Sequence, residues 1–142
     1  MSRRERTGMR SLVYSAWHRY DSIKRYLGAA RAARLSMVDI DSCEACVYCQ
    51  KPLALIETQM TEAAPKTARI TQELAWQAGI PAFSVSCAPG EMEEIARFRV
   101  QRIALSIGPV EDMLPHEYAE FLWSLRDGHE CPGTKRQAQD VP

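Results

Sequence analysis

The order of apolar and polar residues predicts the first elements of the chain. Residues 12–35 carry apolar side chains at helical spacing with Arg or Lys between them, which predicts one or two helices. Residues 36–41 alternate apolar and polar positions, which predicts a strand with one buried face, and residues 53–60 predict a second strand. The segment CEACVYCQKP between them is too short for a helix and predicts a hairpin connection.

The second half of the chain predicts a crossover and a closing helix. Residues 66–78 have a helical apolar stripe ended by Gly79, and residues 80–87 read as a strand. Two strands joined through such a helix indicate a parallel crossover. A further strand, placed on a sheet edge, is predicted at residues 98–105, and a helix at residues 115–125. These elements predict an α/β fold.

Length and composition indicate an ordinary globular domain. The chain has 142 residues, 46% hydrophobic and 25% charged, so we predict a single domain over residues 1–142, with flexible ends at 1–10 and 132–142. No apolar run is long enough for a membrane span and the start is charged, which predicts a cytoplasmic protein without membrane contact. Its five cysteines are then expected to stay reduced.

Charge is balanced overall but unevenly distributed. Residues 1–34 hold nine Lys or Arg against two acids, whereas residues 39–94 hold nine acids against three Lys or Arg. A basic segment beside acidic groups suits a protein that holds a phosphate backbone with one part and a divalent cation with another. A solvated helix face beside unrelated surface acids explains the same pattern.

Acidic residues lie on both predicted strands of the hairpin. Asp39-Ile-Asp41 is followed on the next strand by Leu-Ile-Glu57-Thr-Gln59, then by a helix and a strand. This arrangement resembles the core of the PD-(D/E)XK nuclease superfamily. In that superfamily an acid on one strand and an acid-x-Lys motif on its neighbour bind the catalytic metal. The resemblance implies a restriction-endonuclease-like mixed sheet flanked by helices, here with a metal-binding knuckle in the β-hairpin, and an endo- or exodeoxyribonuclease activity.

The residues themselves support a cation site at this place. Alternation puts Asp39 and Asp41 on one strand face, and the hairpin brings that strand beside Glu57. Carboxylates that converge repel each other unless a cation lies among them, and such oxygen ligands suit Mg²⁺ or Mn²⁺. We favour Asp41 over Asp39 slightly, because a one-residue change of register exchanges them. A hairpin with solvated acids is the alternative.

The pattern departs from the superfamily at one position. Gln59 stands where the motif has lysine, and an amide orients water or phosphate without supplying positive charge. Lys66 and Lys51 are candidate substitutes. Gln72, four residues before Trp76, resembles a Q-x-x-x-Y element found beside the active site in one branch of the superfamily. The resemblance therefore implies catalytic roles for Asp41, Glu57, Gln59, Lys66 and Gln72.

The most specific local motif is Cys43-x2-Cys46-x2-Cys49. A C-x2-C turn presents two thiolates to one ion, and zinc takes four N or S ligands. Cys46 and Cys49 form the best pair, with Cys43 as a third candidate. The other ligands are expected from Cys87, or from His129 and Cys131. An iron–sulfur cluster and plain reduced thiols are the alternatives.

The predicted function is a metal-dependent nuclease that acts on DNA, with catalytic Mg²⁺ or Mn²⁺ and a structural zinc. On this hypothesis the basic residues His18, Arg19, Lys24 and Arg25 contact the phosphate backbone. One rival is a non-catalytic zinc-containing DNA-binding protein on the same scaffold. A second is a zinc-stabilised interaction protein with no nucleic-acid role. The oligomeric state stays open, with a homodimer among the options.

Overall fold

The structure is a computed structural model that describes residues 17–18, 21–35 and 40–131. The chain divides into two compact units, residues 1–39 and residues 40–142. The ends that we predicted to be flexible, residues 1–10 and 132–142, lie outside the described residues. The prediction of a single domain stays a prediction. No helix within the described ranges is long and apolar enough to cross a membrane.

Two short helices have defined bounds within the part of the first unit that the structure describes. Helix α1 spans Asp21–Leu27 and helix α2 spans Ala29–Ala32, in agreement with the predicted helical segment. Gly28 separates them with φ of 79°, a backbone conformation that glycine adopts without steric cost. Trp17 stacks on Tyr26 with ring centroids 6.5 Å apart.

The second unit is built on a five-stranded mixed sheet. Its described elements are β1 Ser42–Ala45, β2 Pro52–Met60, α3 Arg69–Ala78, β3 Ala82–Pro89, β4 Ile95–Ala104, β5 Val110–Met113 and α4 Pro115–Ser124. The strands lie in the sheet in the order β1-β2-β3-β4-β5, and among these described strands only the β2–β3 pair is parallel. Helix α3 connects that parallel pair, as predicted, and helix α4 follows β5.

The two faces of the sheet carry two separate apolar clusters. Helix α4 covers the face that contains Ile56, Phe83 and Val100, and its Phe121 meets Phe83 edge to face at 4.8 Å. Helix α3 covers the opposite face through Ala75, which packs with Leu55, Ala82, Ile103 and Ala104. Because neighbouring residues of a strand point to opposite faces, Leu55 and Ile56 belong to different clusters. The second unit thus has an α/β fold, in which a mixed β-sheet is flanked by helices.

Two strands differ from their predicted positions. Strand β1 begins at Ser42, so residues 42–45 pair with β2 although we assigned most of them to the connection. These residues are mostly exposed at the sheet edge, and such a strand lacks the apolar alternation that the prediction relied on. Strand β4 pairs with both β3 and β5, so the edge position predicted for it was wrong and belongs to β5.

Candidate metal centre and carboxylate pair

Four metal-binding side chains converge at the end of the β1–β2 hairpin. Cys46 and Cys49 come from the hairpin turn, and His129 and Cys131 come from the segment that follows α4. Their ligand atoms all lie within 4.8 Å of one another. Residues separated by some eighty positions in the sequence therefore form one cluster, which we call the Cys/His cluster.

The turn itself prepares Cys46 for a cation. The Cys46 backbone amide donates to the Lys51 carbonyl, and the Gln50 backbone amide donates to the Cys46 carbonyl, each at 2.9 Å. Gln50 closes the turn with φ of 67°. The hydrogen bond from the Cys49 backbone amide is the main cause that lowers the pKa of the Cys46 thiol to about 5. The thiolate is the form that binds metals, so a lowered pKa favours Cys46 as a ligand.

The donor set and its spacing fit zinc. Cys46 Sγ lies 3.4 Å from Cys131 Sγ, and Cys49 Sγ lies 3.4 Å from His129 Nε2. Tetrahedral coordination at normal Zn–S and Zn–N lengths separates neighbouring ligand atoms by about 3.5–3.8 Å. His129 Nδ1 is buried without a hydrogen-bond partner among the described residues, so no protein group fixes the imidazole ring there. A bound ion would fix the ring through its other nitrogen. The Cys/His cluster is compatible with zinc, and four protein ligands form a closed, structural site.

The sequence named all four of these ligands as candidates but left open which of the candidates combine. Of the two sources weighed for the remaining ligands, His129 and Cys131 join the hairpin pair, whereas Cys87 is buried in the α4-side core. Cys43, the third candidate, lies outside the group of four; it is exposed, and its Sγ lies 3.7 Å from the Glu44 carbonyl oxygen. Strand β1 explains this, because its extended backbone carries Cys43 away from the turn.

A second group of polar side chains lies farther along the same hairpin. Asp41 precedes β1, and the register that pairs Ser42 with Ile56 sets Asp41 opposite Glu57 on β2. Asp41 Oδ2 accepts hydrogen bonds from the Thr58 amide at 2.7 Å and from the Thr58 hydroxyl at 3.2 Å. Burial is the main cause that raises the pKa of the Glu57 carboxyl, and the charge of Asp41 raises it further. The two carboxyl groups are therefore close enough to repel each other.

The sheet surface around Glu57 is polar where the rest of that face is apolar. Glu57 pairs with Ser84 on β3, and Gln59 pairs with Ser86. Ser84 and Ser86 are both buried, and the Ser86 hydroxyl has no hydrogen-bond partner among the described residues. The first turn of helix α3 reaches Glu57 through Thr71, and the segment that leads into the helix reaches Ser84 through the Lys66 carbonyl. The result is a polar strip beside the carboxylates.

The two candidate lysines lie in different places relative to Glu57. The Lys66 carbonyl accepts a hydrogen bond of 2.6 Å from Ser84, the residue paired with Glu57, so the Lys66 backbone lies beside the carboxylates. Lys51 lies six positions before Glu57 along the hairpin, a distance of about 20 Å at the usual rise of a strand. Lys66 is therefore the better placed of the two substitute cations.

The remaining predicted residues are placed as follows. Gln72 donates to the Ile103 carbonyl at 2.7 Å, so its amide ties α3 to β4. Gln59 is exposed on β2. Lys24 and Arg25 are exposed on α1 and His18 is half-buried. Asp39 and Arg19 lie outside the described residues.

Sequence reasoning did not identify Thr71. It is buried in the first turn of α3 and its hydroxyl donates to Glu57 Oε1 at 2.6 Å. A threonine among the apolar residues of a helix does not indicate a functional role, because threonine is also common in ordinary helix packing.

Comparison of the chain with known protein families, with curated proteins and with solved structures found no match.

Proposed function

We propose that this protein is a Mg²⁺- or Mn²⁺-dependent deoxyribonuclease with a PD-(D/E)XK type of core. The observation that carries the proposal is the pair formed by Asp41 and Glu57 on neighbouring chain segments. Two adjoining carboxyl groups, one of them partly buried, repel each other without a cation and are stabilised by one. Bound there, the ion polarises a scissile phosphate and lowers the pKa of a water ligand.

The order of elements also supports this proposal. The superfamily pattern places the acid-x-Lys strand next to an antiparallel strand and sends the chain through a helix to a following strand. Here β2 pairs antiparallel with β1 and parallel with β3, and α3 forms the connection. On this proposal Asp41 and Glu57 are the two motif acids. Gln59, two residues after Glu57, lies on the same strand face and is available to orient water or phosphate.

The zinc has a structural role in this proposal. The Cys/His cluster closes one end of the β1–β2 hairpin, and the carboxylates lie toward its other end. A closed site offers no position for a substrate or water, so zinc would hold the hairpin and the segment after α4 together. Fixing the hairpin fixes the register that sets Asp41 opposite Glu57.

Removing the positive charge at residue 66 and introducing one at residue 59 tests whether Lys66 replaces the missing motif lysine. We expect Lys66→Ala to lower the cleavage rate about 100-fold, since one electrostatic contact to the reacting phosphate contributes about that much. Gln59→Lys in the same chain should restore part of the rate. Cleavage of linear, single-stranded and branched DNA with Mn²⁺ measures both. Lys51→Ala is the control, because Lys51 lies too far away to act. Wild-type rates in Lys66→Ala would exclude the role for Lys66.

One observation favours a rival function, DNA binding without cleavage. Gln59 carries no positive charge where the motif has lysine, so a scaffold that kept its DNA contacts without this charge would be catalytically silent. This rival predicts metal-independent DNA binding and no cleavage of any DNA substrate by the wild type.

DNA affinity measured against salt separates both DNA-related functions from a zinc-stabilised interaction protein. With about four phosphate contacts, affinity should fall about 100-fold between about 50 and about 200 mM salt. Arg25→Ala should reduce the slope of log affinity against log salt by about one, because Arg25 is an exposed predicted phosphate contact. Fluorescence anisotropy with labelled DNA measures both. An affinity that does not change with salt would favour the interaction protein.

A further inference from the structure

We propose that Thr71 is a positioning residue that orients the Glu57 carboxylate for cation binding, an inference that rests on the proposed function. The Thr71 hydroxyl donates to Glu57 Oε1 at 2.6 Å, and Thr71 is only 1% exposed. A hydroxyl bound to a carboxylate at this distance is a strong, charge-assisted hydrogen bond. It fixes one oxygen of Glu57 and thereby the plane of the whole carboxylate.

The packing of α3 explains why the hydroxyl has so little freedom. Thr71 and Ala75 are the two buried residues of the helix, one turn apart. Ala75 packs in the cluster with Leu55, two residues before Glu57 on the same strand face. One turn of helix rises about 5.4 Å and two strand residues about 6.6 Å, so the two spacings nearly match. The packing of Ala75 in the same cluster as Leu55 is therefore consistent with the position of Thr71 over Glu57.

The other proposed site groups are held in a similar way. The Thr58 hydroxyl and amide both bind Asp41 Oδ2, and the Ser84 hydroxyl binds the Lys66 carbonyl. Thr71 is the donor that helix α3 supplies to the Glu57 carboxyl, which also interacts with the Asp41 backbone amide.

Mn²⁺ affinity of the full-length protein tests this inference independently of DNA cleavage. Thr71→Val removes the hydroxyl and keeps the shape of the side chain, so we expect Mn²⁺ binding to weaken about 10-fold or more, as loss of a hydrogen bond to a metal ligand generally does. Thr71→Ser should recover affinity to within about threefold, since it restores the donor. Isothermal titration calorimetry with Mn²⁺ alone measures each value, and Glu57→Ala shows which binding belongs to this site.

Ser124→Ala is the matched control, because its hydroxyl also makes a 2.6 Å bond, to the Phe121 carbonyl, in helix α4 on the opposite face. It should leave Mn²⁺ affinity unchanged, and equal melting temperatures of Thr71→Val and Ser124→Ala would show that the loss is local. If Thr71→Val does not fold, Thr71→Ala replaces it.

Each outcome decides between the two proposals. Mn²⁺ binding that Glu57→Ala removes and Thr71→Val leaves at the wild-type value would overturn the role of Thr71 and leave the nuclease proposal standing. Weaker Mn²⁺ binding in Thr71→Val, restored by Thr71→Ser, in a protein that cuts no DNA would support Thr71 and overturn the nuclease. A wild type that binds no Mn²⁺ would overturn both.

Discussion

Cys131→Ser is expected to empty the zinc site and to lower the melting temperature by roughly 10 °C or more. Cys131 lies in the segment after α4, and its Sγ is 3.4 Å from Cys46 Sγ in the hairpin turn. Removing this ligand leaves three donors and frees a segment that the ion otherwise joins to the hairpin. Elemental analysis of purified protein should show about one zinc per chain in the wild type and far less in the variant.

Cys43→Ser provides the matched control. It removes a cysteine from the same C-x2-C-x2-C motif, but Cys43 is exposed and lies outside the Cys/His cluster, so zinc content and melting temperature should stay at wild-type values. Cys46→Ser should behave like Cys131→Ser, because both thiols belong to the cluster. Equal zinc content in the wild type and Cys131→Ser would contradict the assignment of ligands.

Glu57→Ala is expected to reduce metal-dependent DNA cleavage by about 10³-fold or more while the protein stays folded. The change removes one of the two carboxylates that would hold the catalytic cation, and electrostatic groups of this kind contribute effects of that size. The melting temperature should change little, because the loss of the Thr71 hydrogen bond is offset by the loss of carboxylate repulsion. Single-turnover cleavage with Mn²⁺ gives the rate, and circular dichroism checks the fold.

Glu73→Gln is the control for that experiment. Glu73 is exposed on α3 and accepts a hydrogen bond from Gln77, so its charge can be removed without touching the carboxylate pair. It should cleave at the wild-type rate. Cleavage by Glu57→Ala at the wild-type rate would place the activity, if any, elsewhere in the protein.

The interior elements of the second unit were predictable because their signals are local. Helix α3 ends at Ala78 with Gly79 in the left-handed conformation, as its apolar stripe and glycine indicated. Strand β2 shows the same correspondence, since its central residues are apolar and buried. Edge strands β1 and β5 were misplaced or missed, because an exposed strand is held by hydrogen bonds to a neighbour and has little pattern of its own.

The sequence by itself determined the mixed α/β character, the crossover through α3 and the hairpin turn in which Cys46 and Cys49 share one metal-binding geometry. These follow from periodicity and from short spacings, which act over a few residues. The tertiary structure alone decided that His129 and Cys131, rather than Cys87, complete the Cys/His cluster, and that Thr71 binds Glu57. Both depend on how helices pack on the sheet, and contacts between segments distant in sequence leave no local pattern along the chain.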